Sequence, residues 1–384
     1  MSLEPLAVYI HWPFCLSKCP YCDFNSHVRN AIDIERWRKS FLAELDYFAE
    51  IIEGKKVSSI FFGGGTPSLM PPDLVAKLIE RVDIKWGILS DCEITLEANP
   101  TSAETKNFKL LAQAGVNRLS VGVQALKDED LAFLGREHSS MEALSAVDAA
   151  CKAVDRVSLD LIYARPNQTL KSWEQELLVG LSTGVNHISL YQLTLEKGTK
   201  FFSAHRKGEF KLPDDELAVA LFMTTRDLCH SKGFPAYEVS NHAKHGQESR
   251  HNLAYWRGQN YLGIGPGAHG RIRINGALHS TEQISSPEKW LRAVENQGHA
   301  TRKMESLPTK VQIEELLMMG LRLTNGLDRR SFRENTGVKL EDAIPEEKLT
   351  YLQHLELIEL DTDGLRATES GLLKLNSVIT SLIV

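Results

Sequence analysis

Cys15, Cys19 and Cys22 fall within the run Tyr9-Ile-His-Trp-Pro-Phe-Cys-Leu-Ser-Lys-Cys-Pro-Tyr-Cys-Asp-Phe. The C-x3-C-x2-C spacing supplies three thiolates, one short of the closed set of four that structural zinc takes. Three cysteines on a four-iron cluster leave one iron open to a further ligand. The competing chemistry is a zinc knuckle completed by His11 or His27; the plain reading is three unpaired thiols. Pro13 and Pro20 stiffen the loop. Tyr9, Trp12, Phe14, Tyr21 and Phe24 offer aromatic surface that would shield a cluster from water.

A second group begins at Phe61-Phe-Gly-Gly-Gly-Thr-Pro-Ser, where three glycines let the backbone approach a ligand closely. It is not a P-loop, because no Gly-Lys-Ser/Thr follows. Gly265-Pro-Gly-Ala-His-Gly270 fits G-x-G-x-x-G, but Pro266 interrupts it and Arg271-Ile-Arg-Ile reads as a strand, which excludes a dinucleotide site. Polar residues stand near the ends of apolar runs: Glu97, Gln124, Arg136 and Asp160. For each, a structural hydrogen bond competes with a ligand role. Asp160 lies inside its run, and a buried carboxylate needs a partner.

The elements that would position these residues alternate. Strands are expected at 7–10, 57–62, 92–97, 118–123, 156–163 and 187–193, separated by helical stretches that include 32–52, 71–82, 102–114, 140–153 and 170–181. Six strands with helical crossovers imply an α/β fold with a parallel sheet. An open doubly wound sheet and an incomplete barrel both fit, and periodicity does not choose between them. Three regions are read: 1–200 as the α/β unit, 201–306 as a connecting region and 307–384 as a C-terminal α+β unit. The last combines helices near 310–323, 328–336 and 345–355 with a hairpin turning at Asp363-Gly364 and a final helix, which resembles a winged helix. Its hairpin is acidic, which argues against DNA binding.

The 384 residues carry a formal net charge of −6, which argues against a broad nucleic-acid footprint. No apolar run approaches the ~20 residues that span a bilayer, and the N-terminus shows neither a basic start nor an apolar h-region. Cys92, Cys151 and Cys229 sit among apolar neighbours as small core residues. An iron cluster on the other three points to a reducing cytosol.

The cysteine segment resembles the signature of the radical S-adenosylmethionine (SAM) enzymes, in which the open iron takes SAM through its amino and carboxylate groups. That resemblance favours the partial (β/α)6 barrel. Over essentially its whole length the chain is similar to the oxygen-independent coproporphyrinogen oxidase family. The matching motifs are Tyr9 and His11 before the cysteines, Gly63-Gly-Gly-Thr-Pro, Glu97-Ala-Asn-Pro, Gly122-Val-Gln and Gly135-Arg-Glu-His. The resemblance implies SAM contacts from Tyr9, Tyr21, Gly64, Gly65, Thr66, Glu97, Gln124, Arg136 and Asp160, with Thr194 a looser carry-over, and a [4Fe–4S] cluster on Cys15, Cys19 and Cys22.

Two departures separate the chain from the oxidases. Phe24 stands where they have a further cysteine, and no long extension precedes the cluster. Cys22-Asp-Phe-Asn and His251-Asn-Leu-Ala-Tyr-Trp256 instead resemble the HemW-type heme chaperones. That resemblance implies heme as cargo, held by His251, Asn252, Tyr255 and Trp256; His242, His245 and His269 lie close by in sequence and are rival ligands. It also implies acceptor hemoproteins, respiratory ones among them, and peripheral membrane association. The alternative is an oxidase that converts two propionates to vinyl groups through a 5′-deoxyadenosyl radical. Ala164-Arg-Pro-Asn167 replaces the family's common Gly-Leu-Pro-Gly.

Overall fold

The computed structural model describes residues 4–29 and 31–383, so the outermost residues of the first and last expected regions lie outside the described residues. Strands β1 (Glu4–Trp12), β2 (Lys55–Gly64), β3 (Ile88–Ala98), β4 (Arg118–Gln124), β5 (Arg156–Tyr163) and β6 (His187–Gln192) form the heart of the molecule. Each pairs in parallel with the next in chain order. Right-handed crossovers in unbroken sequence order place the helices on one face, whereas a doubly wound sheet reverses its order at a switch point. β1 and β6 do not pair with each other. The result is a partial barrel, as the resemblance implied.

The strands read as near-continuous apolar runs because both faces are covered. In β4 every residue is buried until Gln124, the last. Helix α1 (Ile34–Ile51) turns Trp37, Phe41, Leu45 and Phe48 onto the barrel, and Asp33 caps its start by accepting from the Arg36 amide. Helices α2 (Pro72–Trp86), α3 (Phe108–Gln113), α4 (Ser140–Ala153) and α5 (Leu170–Leu181) follow their strands, α4 opening on a Ser139–Glu142 capping box. The single helix expected at 102–114 is broken into Ser102–Thr105 and α3. The break accompanies Glu104, whose buried carboxylate turns inward to accept from Ser68 Oγ and the Asn99 amide.

Residues 201–306 extend the same sheet. After α6 (Asp215–Ser231), strand β7 (Asn241–Ala243) pairs antiparallel with β6. Helix α7 (Arg250–Trp256) leads into β8 (Asn260–Ile264), which lies parallel to β1. Strands β9 (His269–Ile274), β10 (Ala277–Gln283) and β11 (Thr301–Ser306) continue antiparallel, giving an 11-stranded sheet among the described residues. Helix α8 (Pro287–Gln297) stacks Trp290 on Trp37 of α1, with ring centroids 5.2 Å apart.

The C-terminal unit has its own apolar core, including Leu317, Leu321, Phe332, Leu352, Leu365 and Val378. It packs α9 (Thr309–Gly320) and the helices Arg329–Thr336, Glu346–His354 and Leu375–Ile383 around a small antiparallel sheet. The expected hairpin is present as Ile358–Leu360 against Gly364–Ala367, and Leu327–Asp328 adds a strand that the sequence reading did not anticipate. Among the described residues, no helix is long and apolar enough to cross a membrane.

Candidate functional site

The cysteine loop leaves the carboxyl end of β1 and lies against the glycine turn that leaves β2. The Gly65 amide donates to Trp12 O at 2.7 Å, and the Thr66 amide to Phe14 O at 2.8 Å. A Cβ at position 65 would come within 2.5 Å of the Phe14 carbonyl oxygen. Gly64 has a φ of +114° and faces the His11 ring at a distance that leaves no room for a side chain. The approach of the cysteine loop itself therefore demands glycine here.

Cys15, Cys19 and Cys22 share one cavity of about 620 Å³, bordered by Tyr21, Gly64, Gly65, Thr66, Glu97, Gln124, Arg136, Asp160 and Thr194. Of the residues assigned to SAM by resemblance, Tyr9 alone lies elsewhere: it lines a second cavity. Burial pushes the Cys15 thiol up; the Thr66 hydroxyl opposes this, and the charges of Cys22 and Cys19 add to it. The charges that Cys19 and Cys22 add against Cys15 would be relieved by a cationic metal centre among them. A zinc knuckle through His11 is disfavoured, because Nδ1 is hydrogen-bonded to Tyr9 OH and Nε2 to Asn25 O, each at 2.9 Å. Among the described residues, no three His, Cys, Asp or Glu side chains gather as a single metal ion would need.

The strand ends supply both signs of charge. Arg136 donates to Cys19 Sγ at 3.4 Å, Asn99 Oδ1 at 2.6 Å and Gly122 O at 3.1 Å. Asn99, inside the Glu97-Ala-Asn-Pro motif, is a site residue that the sequence reading passed over; it also donates to Thr66 Oγ1 at 3.2 Å. Asp160 accepts from Ser120 at 3.0 Å and Ser158 at 3.1 Å, yet burial still raises its pKa. Burial, reinforced by Asp160, raises Glu97 to about 7 against the hydrogen bond from the Gly64 amide. Gln124 holds a φ of +69°, a left-handed backbone for a residue with a side chain. Such strain recurs at functional sites.

The Cys22-Asp-Phe-Asn signature now has a physical account. Asn25 Nδ2 donates to Pro266 O and to Ser285 O, each at 2.9 Å, which pins the loop to the turn before β9. Phe24 is left exposed between the two cavities and lines both. Of the other aromatics around the loop, Trp12 and Phe14 belong to the core with Trp37 and Phe41.

The second cavity, of about 470 Å³, lies between β8, β9, α7 and α9. Tyr255 and Trp256 line it; His251 and Asn252 do not. His251 is fully buried, with Nδ1 bonded to Ser59 Oγ at 2.9 Å and Nε2 to Tyr255 OH at 2.8 Å. Burial lowers its pKa to about 3, so the ring is neutral. Both ring nitrogens of His251 are thus hydrogen-bonded within the fold, and the ring does not line this cavity. Ser249 caps α7, its Oγ accepting from the Asn252 backbone amide at 3.3 Å. His242 is buried, and neither it nor His245 lines either of these two cavities, whereas His269 lines the second.

The Ala164–Asn167 departure keeps the backbone that glycines would favour, with φ of +58° at Ala164 and +61° at Asn167. The buried Arg165 side chain pairs with Glu176 at 2.5 Å and Asp130 at 3.0 Å.

A three-cysteine loop at the head of a six-stranded partial barrel defines a radical SAM protein. The Radical SAM superfamily model matches residues 9–178, and the HemN C-terminal domain model matches residues 307–373. The chain is 36% identical to "Heme chaperone HemW" of Haemophilus influenzae, covering 98% of each chain, and 35% identical to that of Escherichia coli, covering 99% of this chain and 98% of the other. It is 39% identical to the bovine "Radical S-adenosyl methionine domain-containing protein 1, mitochondrial", over 98% of this chain and 87% of that one. In fold it matches the solved structure of coproporphyrinogen III oxidase (HemN) from Escherichia coli, with a TM-score of 0.82 at 22% identity over 98% of this chain and 90% of that chain. The chain belongs to the HemW family of radical SAM proteins. Membership of the superfamily implies a [4Fe–4S] cluster and SAM.

Proposed function

We propose that this chain is a heme chaperone. Cys15, Cys19 and Cys22 hold the cluster, SAM lies across the strand ends beside it, and heme is carried in the neighbouring apolar cavity for delivery to acceptor hemoproteins. The observation that carries the reading is the junction of the two cavities at Phe24, Gly64 and Glu97. Phe24 puts an apolar ring there, where the oxidases are expected to place a further cysteine.

When bound, the cluster supplies an open iron for the amino and carboxylate groups of SAM. The chain's own residues supply the rest. Arg136 offers a cation to a carboxylate, and Glu97 and Asp160 offer anionic oxygens to the cationic groups of the ligand. The names of the HemW relatives and the retained His251-Asn-x-x-Tyr-Trp256 motif support heme as cargo.

The test is an anaerobic assay of full-length, iron-reconstituted protein that follows heme absorbance and coproporphyrinogen turnover side by side. Stoichiometric heme binding without turnover is expected. Repeated conversion of coproporphyrinogen III to protoporphyrinogen IX in the presence of SAM and a reductant would replace this reading with the oxidase.

A further inference from the structure

Resting on the heme-carrier reading, we propose that His269 ligates the iron of the cargo and that Arg273 receives one of its propionates. Both stand on β9, whose side chains alternate between faces with a period of two. His269, Arg271 and Arg273 share the face that lines the apolar cavity, while Gly270 and Ile272 turn into the sheet. Tyr261 and Leu278, the cross-strand partners of Arg271 and Arg273, stand beside this polar row, and Trp256, Leu316 and Phe24 add further apolar and aromatic lining. That is a surface for the faces of a macrocycle, with cationic groups along one edge.

Among the imidazoles of this cavity, His269 alone is free to bind. His11 spends both nitrogens on Tyr9 and Asn25. Among the described residues, neither ring nitrogen of His269 has a hydrogen-bond partner, and the residue is exposed at the cavity. A neutral imidazole with an accessible nitrogen is a common heme ligand.

The two arginines differ in the same way. Arg271 is matched by Glu315, Nε at 2.9 Å and Nη2 at 2.7 Å, so its charge is already answered. Arg273 donates only to neutral oxygens, Asn335 O at 2.6 Å, Asn335 Oδ1 at 3.2 Å and Gly276 O at 3.4 Å. Its charge has no anionic partner among the described residues, and a propionate would supply one. His251 has a different task. Through Ser59 and Tyr255 it fixes the wall that the macrocycle meets.

Titration of the full-length, cluster-loaded protein with hemin tests this. His269→Ala should shift the Soret band and weaken hemin binding about tenfold or more, with binding of iron-free protoporphyrin IX unchanged. Arg273→Gln should weaken hemin but not its dimethyl ester. His251→Ala, which loosens that wall, should weaken hemin binding yet keep the Soret position, because the iron ligand is retained. If His269→Ala leaves band and affinity as they were while His251→Ala abolishes the band, the assignment fails and the heme-carrier reading survives. If the unsubstituted protein binds no hemin, that reading fails with it. His269 is exposed, so its substitution leaves the fold standing, and an unchanged melting temperature checks this.

Discussion

The side-chain amide of Asn25 donates to the carbonyl of Pro266 at 2.9 Å, joining positions 241 residues apart. One end of this bond is three residues past Cys22 and the other three residues before His269. A single side chain thus ties the cysteine loop to the strand that lines the second cavity. Gly267 permits it, since a Cβ there would come within 2.7 Å of Asn25 Nδ2.

Replacing any one of Cys15, Cys19 and Cys22 with serine should remove the broad visible absorption of the cluster and most of the roughly four irons per chain. Cys151→Ser is the control, because Cys151, unlike Cys92 and Cys229 and against the core position expected for it, is exposed and lines neither cavity. Retention of full iron content in the Cys19→Ser protein would contradict the assignment.

Gly65→Val should cost about 1–3 kcal/mol from overpacking and should lower iron content as well as SAM binding. The new side chain would push on Phe14, next to Cys15. Iron analysis and equilibrium dialysis on the same sample measure both, and a loss of SAM binding alone would mean that the cysteine loop tolerates the group.

Affinity for SAM should rise with pH through about 7, the value to which burial and Asp160 lift Glu97. Below that value the carboxyl is neutral, and binding a cationic ligand must release its proton. Above it the carboxylate is ready and the dependence flattens. The same raised value means that the folded state holds a proton the unfolded chain has lost, so this contribution to stability falls as pH rises from 4.5 to about 7. Calorimetry across that range should show both trends, and Glu97→Gln should flatten them.

His251→Ala should destabilise the fold by about 2–3 kcal/mol, since it strands the Ser59 hydroxyl and the Tyr255 phenol in a buried setting. Thermal melting reads this directly. A melting temperature equal to that of the parent would deny the ring its structural task.

Arg165→Leu restores the residue common in the family but should cost roughly 3–5 kcal/mol, because Glu176 loses the partner of a buried ion pair. Adding Glu176→Leu should recover much of the loss. Chemical denaturation of the single and double variants makes the comparison.

Much of the site was legible in the sequence because its chemistry is local. The cysteine spacing lies within eight residues, and Gly64, Glu97, Gln124 and Asp160 come at or within successive apolar runs whose period marks them as strands. Parallel strands then deliver those positions to one end of the barrel, so the cavity around the cysteines follows from order alone. The strands β10 and β11 and helix α8 were harder to see. β11 is exposed at the sheet edge and carries Thr, Arg, Lys, Glu and Ser, so no alternation of burial marks it.

Only the tertiary structure separates the two histidines by their surroundings. In sequence, His251 in its aromatic motif outweighs a solitary His269 after a glycine turn. In three dimensions Ser59 on β2 and Tyr255 one helical turn away take both nitrogens of His251, and the pleat of β9 aims His269 into a cavity walled by α9 from the C-terminal unit. A sequence records which groups a chain owns. Whether a nitrogen's lone pair or proton is already taken depends on residues far apart in the chain, and only folding brings those together.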